Sequence, residues 1–351
     1  LTAGFFVVAY SLSNYYFSNS ILNQNSTLMK KALRFLFYTF VFLVVVIIVL
    51  TSFVYFFLPQ VGNAPQLSIE KTQERIERGR YLANSITVCI DCHSRRDWSL
   101  YSGPITKGTE GSGGEKFDQE FGFPGVYYAK NITPSGIGNW TDGELFRVIT
   151  TGVNKNGKAM FPVMPYLYYG KLDQEDIYSI IAYIRTLAPI NKNISESTSD
   201  FPFNFIINTI PKKANLQPKP AESDSVNYGR YLVTAAGCVE CHTKVDKGQI
   251  IAGFEFGGGR EFTMPFGIIR TANITPDKTG IGNWSTEKFV RTFKQYQDTS
   301  YHSPKIDKND FNSLMPWSMY STMKESDLRC IYQYLRIVKP IENTVEKFSE
   351  K

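Results

Sequence analysis

The sequence predicts a duplicated, helix-bearing domain carried behind one membrane-spanning helix, and three observations predict it. Cys89-Ile90-Asp91-Cys92-His93 returns as Cys238-Val239-Glu240-Cys241-His242, 149 positions later. The blocks around each copy return in the same order, at offsets from 142 positions (Asn131 to Asn273) to 151 (Met164 to Met315). The repeating unit is therefore a whole domain and not a short-period solenoid. Phe35–Leu58 carries no charge and is rich in Phe, Val, Leu and Ile, long enough for a hydrocarbon core that needs ~20 apolar residues.

Residues 1–28 are uncharged and do not open on methionine, whereas Met29-Lys30-Lys31 reads as a start ahead of a signal anchor. On that reading residues 1–28 lie upstream of the true start and 29–60 form the anchor; the alternative is a weakly apolar first helix at Phe5–Phe17. Lys30, Lys31 and Arg34 precede the span, and positive charge there keeps that end in the cytoplasm. A cleaved signal peptide would have an apolar region of ~7–15 residues and a small-residue cleavage site, and no such site follows Leu58. The expected location is the cell inner membrane, single-pass, with the bulk of the chain on the periplasmic side.

After a short Pro-containing tether, Asn63–Leu67, the first domain is expected over 66–190. A polar, charged helix leads into Gly79-Arg80-Tyr81-Leu82 and the first cysteine pair. Asp97–Gly125 is a Gly-rich aromatic loop holding Gly108, Gly111, Gly113 and Gly114; without Gly-Lys-Ser/Thr it is no phosphate loop and reads as irregular backbone. Asn131-Ile132-Thr133-Pro134 and Gly136-Ile137-Gly138-Asn139-Trp140 follow. Thr141 and Glu144 have the spacing of a capping box, which opens a helix to about Thr150. A loop ends in Phe161-Pro162-Val163-Met164-Pro165-Tyr166, and Asp173 starts a helix whose apolar residues run from Ile177 to Leu187 at helical spacing.

Residues 191–225, rich in Ser, Pro, Asn and Lys, form a linker whose apolar middle, Phe201–Ile210, is expected to pack on one of the domains. The second domain, over 226–345, repeats the order. Gly229-Arg230-Tyr231-Leu232, the second cysteine pair, Asn273-Ile274-Thr275-Pro276 and Gly280-Ile281-Gly282-Asn283-Trp284 lead to a helix capped by Ser285. Leu314-Met315-Pro316-Trp317 and a closing helix at Asp327–Val338 complete it.

Two cysteines one helical turn apart, with a histidine directly after the second, have the spacing for covalent attachment of c-type haem. Each thiol can form a thioether to a vinyl group, and the imidazole is then placed beneath the iron. The rivals are a zinc site built from paired Cys-x-x-Cys knuckles and a thioredoxin-like redox pair. A histidine follows both copies, and neither copy has a βαβ context. The reading is two covalently bound haem c groups, held by Cys89 and Cys92 and by Cys238 and Cys241, with His93 and His242 as proximal iron ligands. Only three histidines exist, so bis-histidine ligation of both irons is impossible, and a thioether is the usual partner in cytochromes c. Met164 and Met315, each in a loop before Pro and an aromatic, are the candidates; Met160 and Met319 flank them without a counterpart and read as core filling. Trp140 and Trp284 offer indole N–H groups to a haem propionate. Cys330, aligned with Ser179, reads as a buried inert thiol, and His302 as a surface residue.

From Gly79 to about Leu335 the chain resembles the cytochrome c domains of the alcohol, aldehyde and gluconate dehydrogenase cytochrome subunit family and its diheme relatives. The haem motifs, the Asn-Ile-Thr-Pro and Gly-Ile-Gly-Asn-Trp blocks and the Met-Pro-aromatic elements carry that resemblance. It implies an all-α fold class: two tandem cytochrome c domains, each with a His/Met-ligated haem, preceded by an N-terminal transmembrane helix. On the same resemblance Pro124 and Pro265 look like the proline whose carbonyl orients the proximal imidazole, fixing its second nitrogen. The family's subunits carry three haems and a C-terminal membrane attachment, whereas this chain has two motifs and an N-terminal span.

Two six-coordinate irons leave no open position for a substrate. The expected role is electron transfer and not catalysis, between a membrane or periplasmic donor and a high-potential acceptor such as a terminal oxidase. The expected partners are redox proteins of the inner membrane or periplasm, within a respiratory complex, and no nucleic acid. The alternatives are a peroxidase-like diheme enzyme and the cytochrome subunit of a membrane-bound dehydrogenase. Of the net charge of +6, Lys30, Lys31 and Arg34 supply +3. Four propionates would bring the remainder to about −1 in the ferrous state, too little for strong global steering.

Overall fold

The structure is a computed structural model that describes residues 3–246, 248–264, 267–307 and 310–350, and the side chains from residue 28 onward. The chain divides into two compact units, residues 1–58 and 59–351. The first is one helix, Ala3–Phe57, of which Leu28–Phe57 is long and apolar enough to cross a membrane. Within that span Thr39 Oγ1 donates to the Phe35 carbonyl at 2.9 Å and Thr51 Oγ1 to the Ile47 carbonyl at 2.8 Å. A lipid-facing helix has no water to do this for it.

The second unit corrects the all-α expectation. Eight short strands stand among its described residues, in three small sheets. Lys116–Phe117 pairs with Gly125–Tyr128, which pairs in turn with Thr198–Ser199. In the second repeat Glu261–Met264 pairs with Gly267–Arg270, which takes Phe348–Ser349 on its other edge; Val245–Asp246 and Gln249–Ile250 form a two-stranded hairpin. Val126-Tyr127-Tyr128 and Ile268-Ile269 are β-branched and aromatic, residues that suit a pleated half-buried surface. The edge partners of these two strands, Thr198–Ser199 and Phe348–Ser349, come from far along the chain, so no local pattern announces those pairings. The segment after residue 190 thus closes the first repeat as the C-terminal segment closes the second. Further along the linker, Phe203, Phe205, Ile207 and Ile210 are half-buried, while Phe201 and Ile206 stay exposed at 81% and 41%.

The helices follow their local signals. Thr141 Oγ1 accepts the Glu144 N–H at 3.1 Å, and the Glu144 carboxylate accepts the Thr141 N–H at 2.8 Å. That capping box opens Asp142–Thr151. Asp173 caps Gln174–Ile184 and Ser285 caps Thr286–Lys294. The tether is seated and not loose: the Pro65 carbonyl lies against Gly143, where a Cβ would come within 1.7 Å of it.

In each repeat the helix before the cysteine pair crosses the closing helix at a glycine. Gly79 of Gln73–Tyr81 meets the Ser179 backbone of Gln174–Ile184, and Gly229 of Ser225–Ala235 meets the Cys330 backbone of Glu325–Leu335. A Cβ would stand 1.8 Å from the Ser179 oxygen and 2.0 Å from the Cys330 oxygen. Ser179 and Cys330, at the two partner positions, are both buried. Gly229→Ala is therefore expected to cost about 1–3 kcal/mol or more, the usual penalty of overpacking a tight core. Thermal unfolding of the haem-loaded protein measures it, and an unchanged midpoint would refute the close crossing.

One hydrophobic core runs through both repeats, joining Leu82, Ile86 and Ile181 of the first to Tyr228, Leu232 and Leu328 of the second. Around it the repeats exchange matching polar contacts. Tyr81 donates to Asp327 at 2.6 Å and accepts the Lys324 N–H at 3.0 Å. Tyr231 donates to Asp176 at 2.6 Å and accepts the Asp173 N–H at 3.2 Å. Each tyrosine belongs to a Gly-Arg-Tyr-Leu block and each aspartate to a closing helix, so the interface is reciprocal, as in a two-fold pair.

Candidate haem sites

Each cysteine pair lies on a single helical turn, Cys89–Cys92 and Cys238–Cys241, entered through a left-handed residue. That residue is Gly237 in the second repeat (φ 64°) and Val88 in the first (φ 44°), where a β-branched side chain is under strain. The histidine closes the turn: His93 N–H donates to the Cys89 carbonyl and His242 N–H to the Cys238 carbonyl, both at 2.9 Å.

Both imidazoles are anchored in the same way. His93 Nδ1 stands 2.6 Å from the Lys130 carbonyl, and His242 Nδ1 stands 2.7 Å from the Ala272 carbonyl. A carbonyl can only accept, so Nδ1 carries the proton and Nε2 keeps the lone pair that a metal needs. Burial pushes both imidazole pKa values down, against the opposing pull of the carbonyl, which favours the neutral, ligating form. The histidine carbonyls are held as well, by Gly113 N–H and Gly258 N–H at 2.8 Å. Gly113 has φ +70° and Gly258 φ +72°, and a Cβ at either would lie 2.5 Å or less from the chain that supplies the anchoring carbonyl. Two glycines of the loops therefore bring that chain within reach of the imidazole. The Asn-Ile-Thr-Pro blocks hold it there. The Asn131 side chain accepts Thr133 N–H at 2.9 Å and donates to the Ile190 carbonyl at 2.8 Å; Asn273 does the same with Thr275 and Ile341 at 2.9 and 2.8 Å.

The imidazole-orienting role expected of Pro124 is not the one it plays. Its carbonyl accepts the Tyr127 hydroxyl and the Asp200 N–H, each at 3.0 Å, while Lys130 faces the imidazole. Pro265 lies outside the described residues. Trp140 and Trp284 are half-buried against the core, with Lys155 and Lys288 over their rings at 5.7 and 4.6 Å. Their backbone carbonyls accept from Arg185 and from the Tyr332 hydroxyl respectively. His302 is exposed and meets the Ser300 carbonyl of its own loop at 3.0 Å.

Met164 and Met315 are half-buried against the core. Their carbonyls accept the Tyr166 and Trp317 N–H at 2.8 Å, in turns that precede the short helices Tyr166–Tyr169 and Trp317–Tyr320. Met319 is buried, and the Met160 carbonyl accepts the Tyr166 hydroxyl at 3.0 Å. Two residues escaped the sequence reading. Tyr169 donates to the Thr87 carbonyl at 2.9 Å and Tyr320 to the Ala236 carbonyl at 3.0 Å, tying each methionine element to the residues just before the cysteine pair. Burial raises both phenols well above their ordinary pKa. Their matching positions in the two repeats were the available signal.

The donor set suits haem. Each repeat presents two free thiols one turn apart, an imidazole with Nε2 free, and a thioether in a backbone-held turn. Among the described residues no three His, Cys, Asp or Glu side chains gather as a metal-holding cluster, so the cysteine pairs do not converge on a shared four-ligand zinc site.

No family model matches the chain. It is 31% identical over 241 residues to the fructose dehydrogenase cytochrome subunit of Gluconobacter japonicus, covering 62% of this chain and 44% of the relative. Over 282 residues it is 28% identical to the cytochrome c subunit of the quinone alcohol dehydrogenase of Gluconobacter oxydans, covering 74% and 54%. Over 269 residues it is 28% identical to a diheme cytochrome c-type protein of Cereibacter sphaeroides, covering 72% and 83%. The chain spans about half the length of the two dehydrogenase subunits. The proteins this chain is similar to are c-type cytochromes and cytochrome c subunits. More particularly, its homologues are named as cytochrome c subunits of fructose, alcohol and gluconate dehydrogenases and as a diheme cytochrome c, at modest identity.

Proposed function

We propose that this chain is a membrane-anchored diheme c-type cytochrome that carries electrons. The observation that carries the reading is the duplicated Cys-x-x-Cys-His turn whose imidazole is fixed through Nδ1 on a backbone carbonyl in both repeats. Bound haem supplies one-electron iron chemistry. The chain's part would be to hold it: Cys89, Cys92, Cys238 and Cys241 would form the thioether bonds, and His93, His242, Met164 and Met315 would ligate the iron. Methionine ligation raises the potential, which suits a high-potential acceptor such as a terminal oxidase. With a histidine and a methionine both ligating, no open position would be left for a substrate. In this reading Leu28–Phe57 is the anchor and the second unit lies in the periplasm. The names of the relatives favour a second reading, in which this chain relays electrons within a dehydrogenase complex.

Haem counting tests the proposal. The wild type is expected to yield two haems per chain by pyridine haemochrome, and Cys89→Ser with Cys92→Ser is expected to yield one. The ferric spectrum should be low-spin, with the long-wavelength band of a methionine–iron bond. A high-spin component would favour the peroxidase-like alternative, and a haem-free chain would overturn the reading. Co-purification with a dehydrogenase from mild detergent would select the second reading over a free-standing carrier.

A further inference from the structure

We propose that Ser102, in the first repeat, is a positioning residue for the iron ligand Met315 in the second. The proposal rests on the reading of Met315 as that ligand. The segment that follows the first cysteine pair crosses onto the other repeat. Tyr101 N–H donates to the Pro304 carbonyl at 2.8 Å, and Ile306 N–H donates to the Ser99 carbonyl at 2.9 Å. Buried Asn312 stitches the crossing: its amide donates to the Trp98 and Leu100 carbonyls at 3.2 Å, and its oxygen accepts the Ser102 N–H at 2.8 Å.

The Ser102 hydroxyl thereby reaches the methionine turn. It donates to the Met315 carbonyl at 2.5 Å and accepts the Trp317 N–H at 3.1 Å. One oxygen so bridges both ends of Met315-Pro316-Trp317, while Ser313 Oγ accepts the Met315 N–H and the Trp317 indole N–H, each at 3.1 Å. Ser102 is 4% exposed and has φ +67°, a conformation that a serine holds only when its surroundings over-determine it. Arg96 supplies that constraint, donating to the Ser102 and Gly103 carbonyls at 2.8 Å. Arg96 is itself paired at 3.0 Å with Asp91, between the two cysteines of the first motif, with side chains 8% and 3% exposed. The Met164 turn has Phe161-Pro162 where the Met315 turn has Asn312-Ser313, and among the described residues no side chain of the second repeat bonds the Met164 backbone. Only one of the two turns is clamped from the opposite repeat.

The physical consequence falls on one haem. A thioether is a weak ligand to ferric iron, so small freedom in the turn shifts the balance against it. Losing the hydroxyl removes two hydrogen bonds of about 0.5–1.5 kcal/mol each. The expected effect of Ser102→Ala and Ser102→Gly is about a tenfold loss in one haem's preference for the reduced state, which is ~59 mV for one electron. The methionine band should fall by up to half, while the other haem is unchanged. Ser102→Gly relaxes the backbone, so it folds even if the alanine variant does not, and Ser102→Thr restores the hydroxyl and should restore the potential.

The experiment is a redox titration of the full-length, haem-loaded protein, with Met315→His in parallel. If Met315→His leaves both potentials unchanged, the ligand reading fails and takes the proposal with it. If Met315→His moves one haem while Ser102→Ala and Ser102→Gly leave that haem's potential and band as in the wild type, the positioning role alone is overturned. A shift at the haem that responds to Met164→His would overturn it as well.

Discussion

Met164→His and Met315→His are each expected to lower the potential of one haem and leave the other nearly unchanged. Exchanging thioether for imidazole replaces a ligand that favours ferrous iron with one that tolerates ferric iron better. The expected fall is on the order of 0.1–0.3 V, part of the ~0.8 V span that axial ligation commands. The two turns make the pair informative. Both methionine carbonyls accept the N–H two residues on at 2.8 Å, so both turns present the ligand position similarly, yet they sit in different repeats. Spectroelectrochemical titration of each variant would resolve two one-electron waves, only one of them displaced. An unchanged titration with the methionine band intact would reassign the ligand, with Met160 the next candidate in the first repeat and Met319 in the second.

Arg78→Met is expected to cost about 3–5 kcal/mol of stability, the usual result of removing one partner from a buried ion pair. Arg78 grips the Asp176 carboxylate with two bonds at 2.8 and 2.7 Å, and the side chains are 18% and 3% exposed. The same carboxylate accepts the Tyr231 hydroxyl, so the loss would also loosen the contact between repeats. Burial alone would raise the Asp176 pKa, but Arg78 and Tyr231 together hold it below the ordinary carboxylate range. A depressed folded pKa contributes stability at pH above the unfolded value, near 3.9, and that contribution is lost as pH falls through the folded value. The wild type should therefore lose stability below about pH 4, and Asp176→Asn should flatten that acid slope. Denaturant melts at several pH values measure both effects; a loss under about 1 kcal/mol for Arg78→Met would mean that the pair contributes no more than an exposed one.

The second repeat tolerates a different arrangement at the same place. Tyr228 occupies the position of Arg78, and Asp327 keeps its Tyr81 contact across the interface. The two repeats thus share the reciprocal tyrosine–aspartate pairs and differ in the cation, which duplication alone does not reveal.

What the sequence determined by itself were features set by neighbouring residues. The thiols and imidazole of each site lie within five consecutive positions, so their geometry is that of one helical turn. Thr141 with Glu144 and Ser285 likewise announce caps, because a cap bonds a residue two or three places on. The apolar span is legible from composition alone. Tertiary structure decided everything carried by distant backbone. The carbonyls that anchor His93 and His242 come from 37 and 30 residues away, and every residue has a carbonyl, so Lys130 and Ala272 bear no mark of the role that the resemblance had suggested for Pro124 and Pro265. Two of the three sheets that displaced the all-α reading take an edge strand from afar, at Thr198–Ser199 and Phe348–Ser349. Tyr81 meets Asp327 across 246 residues and Ser102 meets Met315 across 213. Such pairings follow from the way one core packs both repeats together, and packing of that kind leaves no periodic trace along the chain.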